Sequence, residues 1–118
     1  MLLSDAILKG CEQVPIIREQ FFSFKEGHIT KACALGAAAL GLGIVPNNHV
    51  TTKICAVNFK QMWQDLYIHF PELGDVGVCP RCPKNDFKQD IFDVIQCLND
   101  DHAWSREKIA MWLKDQGY

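Results

Sequence analysis

Cys79, Cys82, Cys97 and His102 are the residues whose types and order most directly imply chemistry, in the pattern C-x2-C-x14-C-x4-H. Thiolate sulfur and imidazole nitrogen are good zinc donors, and four of them satisfy the tetrahedral preference of that ion. The Cys79-Pro80-Arg81-Cys82 turn brings two sulfurs towards one point, and Pro80 reduces the conformational entropy lost in doing so. Cys97 and His102 supply the second half, in the general scheme of a stretched zinc finger. Three thiolates and a neutral imidazole around a dication leave a charge of about −1 and no open position, so such a site is structural. If His102 were not a ligand, the fourth position could hold water, and this is the route by which the cluster would serve hydrolysis. Each residue also has a plainer reading: Cys97 as a helix-edge thiol, His102 as a turn residue bonded to Asp100 or Asp101, and the knuckle as a proline turn.

The other cysteines, Cys11, Cys33 and Cys55, lie in apolar segments, where a thiol behaves as a small hydrophobe. Cys33 is the strongest candidate nucleophile of an alternative, enzymatic reading. It stands near a helix start whose dipole would lower its pKa, with His28 five residues earlier as a base. Cys79 and Cys82 as a redox pair form a second version, although such a pair belongs at a helix start in a βαβ context that is missing here. There is no Walker loop, no His-Glu-x-x-His and no Gly-x-Ser-x-Gly. Six cysteines could pair in a secreted protein, but Met1-Leu2-Leu3-Ser4-Asp5 does not open a secretory signal. The expectation is a cytoplasmic protein with reduced thiols.

The elements that must position these groups read mainly as helices. Ser4 is placed to cap a first helix reaching about Gln13, with Leu3 and Leu8 as a hydrophobic staple, Ile7 and Cys11 facing inward and Pro15 as the stop. Ile16 to Lys31 is compatible with a helix or with a hairpin turning at Glu26-Gly27, and the hairpin is the reading adopted. Ala32 to Leu42 is an Ala- and Gly-rich helix that lets a neighbouring backbone approach closely, stopped by Gly43. After a loop at Pro46-Asn47-Asn48, Asn58 and Gln61 cap a helix whose inner stripe is Phe59, Met62, Trp63, Leu66 and Phe70, ended by Pro71. Gly74 to Val78 delivers the chain to Cys79 in extended or turning form. Asp86 and Gln89 cap a helix with Phe87, Ile91, Ile95 and Leu98 buried, and Val94 and Cys97 on its margin. Phe87 to Cys97 spans about 15 Å as a helix, so the knuckle must lie near its far end. Ser105 caps a last helix with Trp104 stapled to Ile109, and Trp112 and Leu113 inward.

A chain of 118 residues with 48% hydrophobic and 22% charged residues suits one globular domain, residues 1–118, with its metal-binding subregion at 76–105. The longest apolar run, Ala32 to Val45, falls short of the roughly 20 residues that cross a bilayer, so no membrane is expected as a partner. A formal net charge of −2 gives no general field for nucleic acid. From Cys79 to Tyr118 six basic face seven acidic residues, which counts against a nucleic-acid-binding regulator, the third functional class. Arg106 and Lys108 at the start of the last helix are what a helix-turn-helix reading would rest on.

Lys31-Ala-Cys-Ala-Leu-Gly-Ala-Ala and Leu98-Asn-Asp-Asp-His-Ala-Trp-Ser-Arg-Glu-Lys-Ile-Ala-Met-Trp-Leu resemble two stretches of a group of small hypothetical proteins from bacteria and their phages. The likeness covers about a third of the chain. In that group a Cys-x-x-Cys turn often precedes the second stretch, and histidine frequently stands at the place of Cys97. The resemblance therefore implies a ligand role for Cys97 and carries no reaction. The combined expectation is a mainly α domain of about five helices with one short hairpin and a zinc-knuckle-like C-terminal segment. Its function is that of a protein-interaction or regulatory module, with Asp100, Asp101, Arg106 and Lys108 on the face offered to a protein partner.

Overall fold

The computed structural model describes residues 1–26, 28–45, 59–82 and 89–118. Cys55, the Pro46-Asn47-Asn48 loop, the Asn58 cap, Gly27 of the hairpin turn, the Asp86 cap and Phe87 lie outside them, as does the side chain of Phe59. Among the described residues, helix α1 (Leu3–Cys11) is followed by an antiparallel hairpin, β1 (Phe22–Lys25) and β2 (His28–Ala32), and by α2 (Ala34–Leu42). Helix α3 (Phe59–His69) leads through a 3-10 turn, Pro71–Gly74, to a two-residue strand β3 (Val76–Gly77). This strand pairs antiparallel with β4 (Gln89–Asp90), which opens directly into α4 (Ile91–Gln96). A π-turn, Cys97–Asp101, continues α4, and α5 (Arg106–Asp115) closes the described chain.

The core is built on α1 and α2, with α5 also packed against α1. In α2 every residue from Ala34 to Gly41 is buried, as a segment with no polar face must be. Close approach is what makes this possible. A methyl at Gly10 would overlap the Ala37 carbonyl and stand 2.7 Å from its Cα, and one at Gly41 would overlap the Ala6 carbonyl. The two backbones therefore touch at two points, through glycine on one helix and alanine on the other. Gly43 ends α2 at φ 74°, and its N–H reaches back to the Ala39 and Leu40 carbonyls.

Several sequence expectations change at the level of single residues. Ser4 is not the cap of α1; Leu2 occupies that position without a side-chain bond. Ser4 lies inside the first turn, and both its N–H and its hydroxyl donate to the Tyr118 carbonyl, at 3.2 and 3.1 Å. Leu8 is exposed, so no staple with the buried Leu3 forms. In the fourth helix, capping at Asp86 gives way to a start at Ile91 with Asp90 as N-cap, because Gln89 and Asp90 are drawn into the ladder with β3. Of the expected stripe Ile91, Ile95 and Leu98 are buried, and Val94, expected on its margin, is fully buried as well. Met62, Leu66 and Phe70 are likewise buried on α3, and Pro71 ends it. Ser105 caps α5 by accepting from the Lys108 N–H at 3.1 Å.

Candidate metal centre

The path to the cluster begins at the β3–β4 ribbon. Gly77 lies so close to α4 that a Cβ there would come within 2.5 Å of Ile91 Cδ1 and 3.6 Å of Val94 Cγ2. Two residues further on, Cys79 is buried in the core, and the Cys82 N–H closes a tight turn on the Cys79 carbonyl at 3.4 Å. The knuckle thus sits beside the C-terminal end of α4, where Cys97 begins the π-turn.

That turn brings the last ligand round. In an α-helix two residues five positions apart point about 140° away from each other. Here the His102 N–H donates to the Cys97 carbonyl at 3.1 Å, an i to i+5 bond, and the wider turn draws the two side chains towards one face. Ala103 then takes φ 52°, and the Trp104 N–H donates to the Leu98 carbonyl at 2.9 Å, so the chain leaves sharply for α5.

The four ligand atoms lie within 4.8 Å of one another. Cys82 Sγ stands 3.6 Å from Cys97 Sγ and 3.4 Å from His102 Nε2. A tetrahedron with metal–sulfur bonds of about 2.3 Å and a metal–nitrogen bond near 2.05 Å has edges of about 3.8 Å between sulfurs and about 3.6 Å from sulfur to nitrogen. These two separations match those edges to a few tenths of an ångström, and the four ligand atoms together could hold a metal ion. Two of these thiols are raised. Burial, followed by bonding to Cys82 and Cys79, pushes Cys97 well up, and bonding with Cys79 leads the upward shift of Cys82.

Three further residues hold the π-turn in place. Asn99 is 1% exposed. Its Oδ1 accepts from the Ala34 N–H at the start of α2, at 3.1 Å, and its Nδ2 donates to the Ile17 carbonyl and to Asp100 Oδ1, at 3.2 and 2.7 Å. Asp100 also accepts from the Glu19 N–H at 2.9 Å, and Arg18 Nη2 donates to the Ala103 and Trp104 carbonyls. The loop between α1 and β1 therefore clasps the turn that carries two of the four candidate ligands. Nothing in the spacing of apolar residues points to Asn99 or Arg18; a polar residue interrupting a buried stripe at Leu98-Asn99 is the one available signal.

The remaining candidates are placed differently. Cys33 is the N-cap of α2, its sulfur accepting from the Gly36 N–H at 3.4 Å, and burial raises its thiol from 9.0 to about 11. The helix start thus does not lower its pKa as expected, because desolvation outweighs the bonds to the first turn. His28 begins β2 and Cys33 follows its last residue, about 16 Å apart at strand spacing, so the structure does not bring this base to this thiol. Cys11 is half-buried. Arg106 is not a surface residue: it is 5% exposed, and its guanidinium donates to the Ala32 and Val14 carbonyls at 3.2 and 2.7 Å. Its burial removes it both from the expected partner face and from a base-reading helix. Asp100 is half-buried and engaged, and Lys108 lies over the Trp104 ring at 4.2 Å.

No family model, curated protein or solved structure matches the chain. Among the described residues no helix is long and apolar enough to cross a membrane.

Proposed function

We propose that this protein is a small interaction module in which Cys79, Cys82, Cys97 and His102 hold one structural zinc ion. The observation that carries the reading is the convergence of those four ligand atoms within 4.8 Å. Three sulfurs and one imidazole suit zinc, and a dication favours the thiolate form, since each thiolate then faces a positive charge. Four protein ligands leave no position for an activated water, so the ion would act by joining the knuckle to the π-turn and, through Asn99, to the start of α2. A protein partner is the binding class that fits the rest of the surface. The basic excess needed for nucleic acid is missing from the C-terminal third, while Tyr67 and Ile68 stand exposed on α3 beside the half-buried Trp63 and Phe92.

The test is elemental analysis of untagged protein purified under reducing conditions, together with Cys97→Ala and His102→Ala. Near-stoichiometric zinc, lost in both variants along with thermal stability, is the expected result. Protein that remains free of metal after refolding with zinc and a reductant would overturn the reading. Replacing zinc by cobalt adds a spectroscopic check, because three thiolates and one imidazole give intense tetrahedral and sulfur-to-metal bands.

A further inference from the structure

Resting on the metal reading above, we propose that the centre is a peroxide-responsive switch in which Cys82 and Cys97 form a disulfide and release the ion. Cys82 and Cys97 are both half-exposed and their sulfurs are 3.6 Å apart, in van der Waals contact. A disulfide at about 2.05 Å requires them to close by about 1.5 Å. Cys79, the other member of the knuckle, is 2% exposed and packed in the core, and Cys33 is 5% exposed. Access therefore favours Cys82 and Cys97 as the pair that a small oxidant reaches, although Cys79 is Cys82's partner in sequence.

The chemistry balances with a hydroperoxide as oxidant. The Cys82 thiolate attacks one peroxide oxygen, the O–O bond breaks, and the departing hydroxide takes a proton to leave as water, giving a sulfenic acid on Cys82. The Cys97 sulfur then attacks the sulfenyl sulfur, the S–O bond breaks, and a second water leaves as the S–S bond forms. Two thiol sulfurs are oxidised and one peroxide is reduced to two waters. The disulfide sulfurs no longer carry the charge that binds a dication, and Cys79 and His102 are too few to retain it. A thiol reductant reverses the step and restores the ligand set.

The experiment uses the zinc-loaded chain, hydrogen peroxide and a chromogenic chelator, with peptide mass spectrometry to map the bridge. A full equivalent of zinc released with a single Cys82–Cys97 bridge, and recovered after reduction with added zinc, is the expected result. Zinc retained under conditions that oxidise a free-thiol peptide, or released with a Cys79–Cys82 bridge or with no bridge, would overturn the switch while leaving the metal site standing. Protein that never binds zinc would overturn both.

Discussion

Replacing Asn99 by alanine tests whether the candidate centre is coupled to the core. The substitution removes the acceptor for the Ala34 N–H and the donor to the Ile17 carbonyl, while Asp100 keeps its bond from the Glu19 N–H. A buried backbone group left without a partner costs about 1–3 kcal/mol, which for two groups gives a range of about 2–6. The lower half of that range applies. A cavity of about 90 Å³ lined by Ala34, Asn99 and Asp100 adjoins the site and is large enough to admit a water that re-solvates part of what is lost. The expected loss is about 2–4 kcal/mol, or a fall in Tm of roughly 10 °C for a domain of this size. Because Asn99 lies inside the turn that carries Cys97 and His102, zinc affinity should also fall, by about 10–100-fold, as it does when groups supporting metal ligands are removed. Asn99→Asp should not rescue either property: it keeps the acceptor but places a carboxylate against the Ile17 carbonyl and Asp100. Urea unfolding and competition against a chromophoric chelator measure the two effects. Stability within about 0.5 kcal/mol of the unsubstituted protein, or reduced stability with unchanged zinc affinity, would refute the coupling.

Gly10→Ala should destabilise by about 2–4 kcal/mol in chemical unfolding despite the helix propensity gained, because its methyl overlaps the Ala37 carbonyl; a neutral result would mean that the two helices are not in backbone contact. Ala103→Gly should stabilise by about 0.5–1 kcal/mol, since φ 52° favours a residue without Cβ, and a loss of stability in the same assay would contradict that backbone geometry. Burial raises Cys33 from 9.0 to about 11, so the stability linked to its neutral thiol is present in full below pH 9 and is lost as pH rises through 11. Cys33→Ser keeps an acceptor for the Gly36 N–H and should flatten the decline by up to about 2–3 kcal/mol across that interval. The slope shrinks without vanishing because Cys11 is raised over the same range; a slope unchanged by the substitution would sink the assignment.

The helices were legible wherever apolar spacing was regular. Met62, Leu66 and Phe70 on α3 and Ile91, Ile95 and Leu98 around α4 are buried as their periodicity requires. The hairpin followed from turn residues between short apolar runs, and the cluster of four candidate ligands from their order in the chain. What escaped was polar and long-range. Ser4 looks like a cap, since serine before an apolar stripe usually is one, but its hydroxyl is used 114 positions away at Tyr118. Arg106 looks like a surface charge, yet it binds carbonyls of two segments that meet only in the folded chain. Asp86 and Gln89 satisfy the local pattern of a helix start, and a ladder with β3 overrides it by holding Gln89 and Asp90 extended. The interval between Cys97 and His102 does not fit α-helical phase, and only the π-turn reconciles the two.

The contact of α1 with α2 through Gly10, Ala37, Ala6 and Gly41 has a dynamic consequence. Glycine and alanine have no side-chain rotamers to immobilise, so this seam forms without the ordering entropy that longer residues incur. It also contains no flexible groups through which the helices could separate gradually. Amide protons along the seam should therefore exchange with solvent only when the whole protein unfolds, whereas those of the knuckle and the π-turn can exchange through smaller local openings. The chain would then contain two layers of different protection: a permanent helical plate, and a flank carrying the four candidate ligands that can open while the plate stays closed.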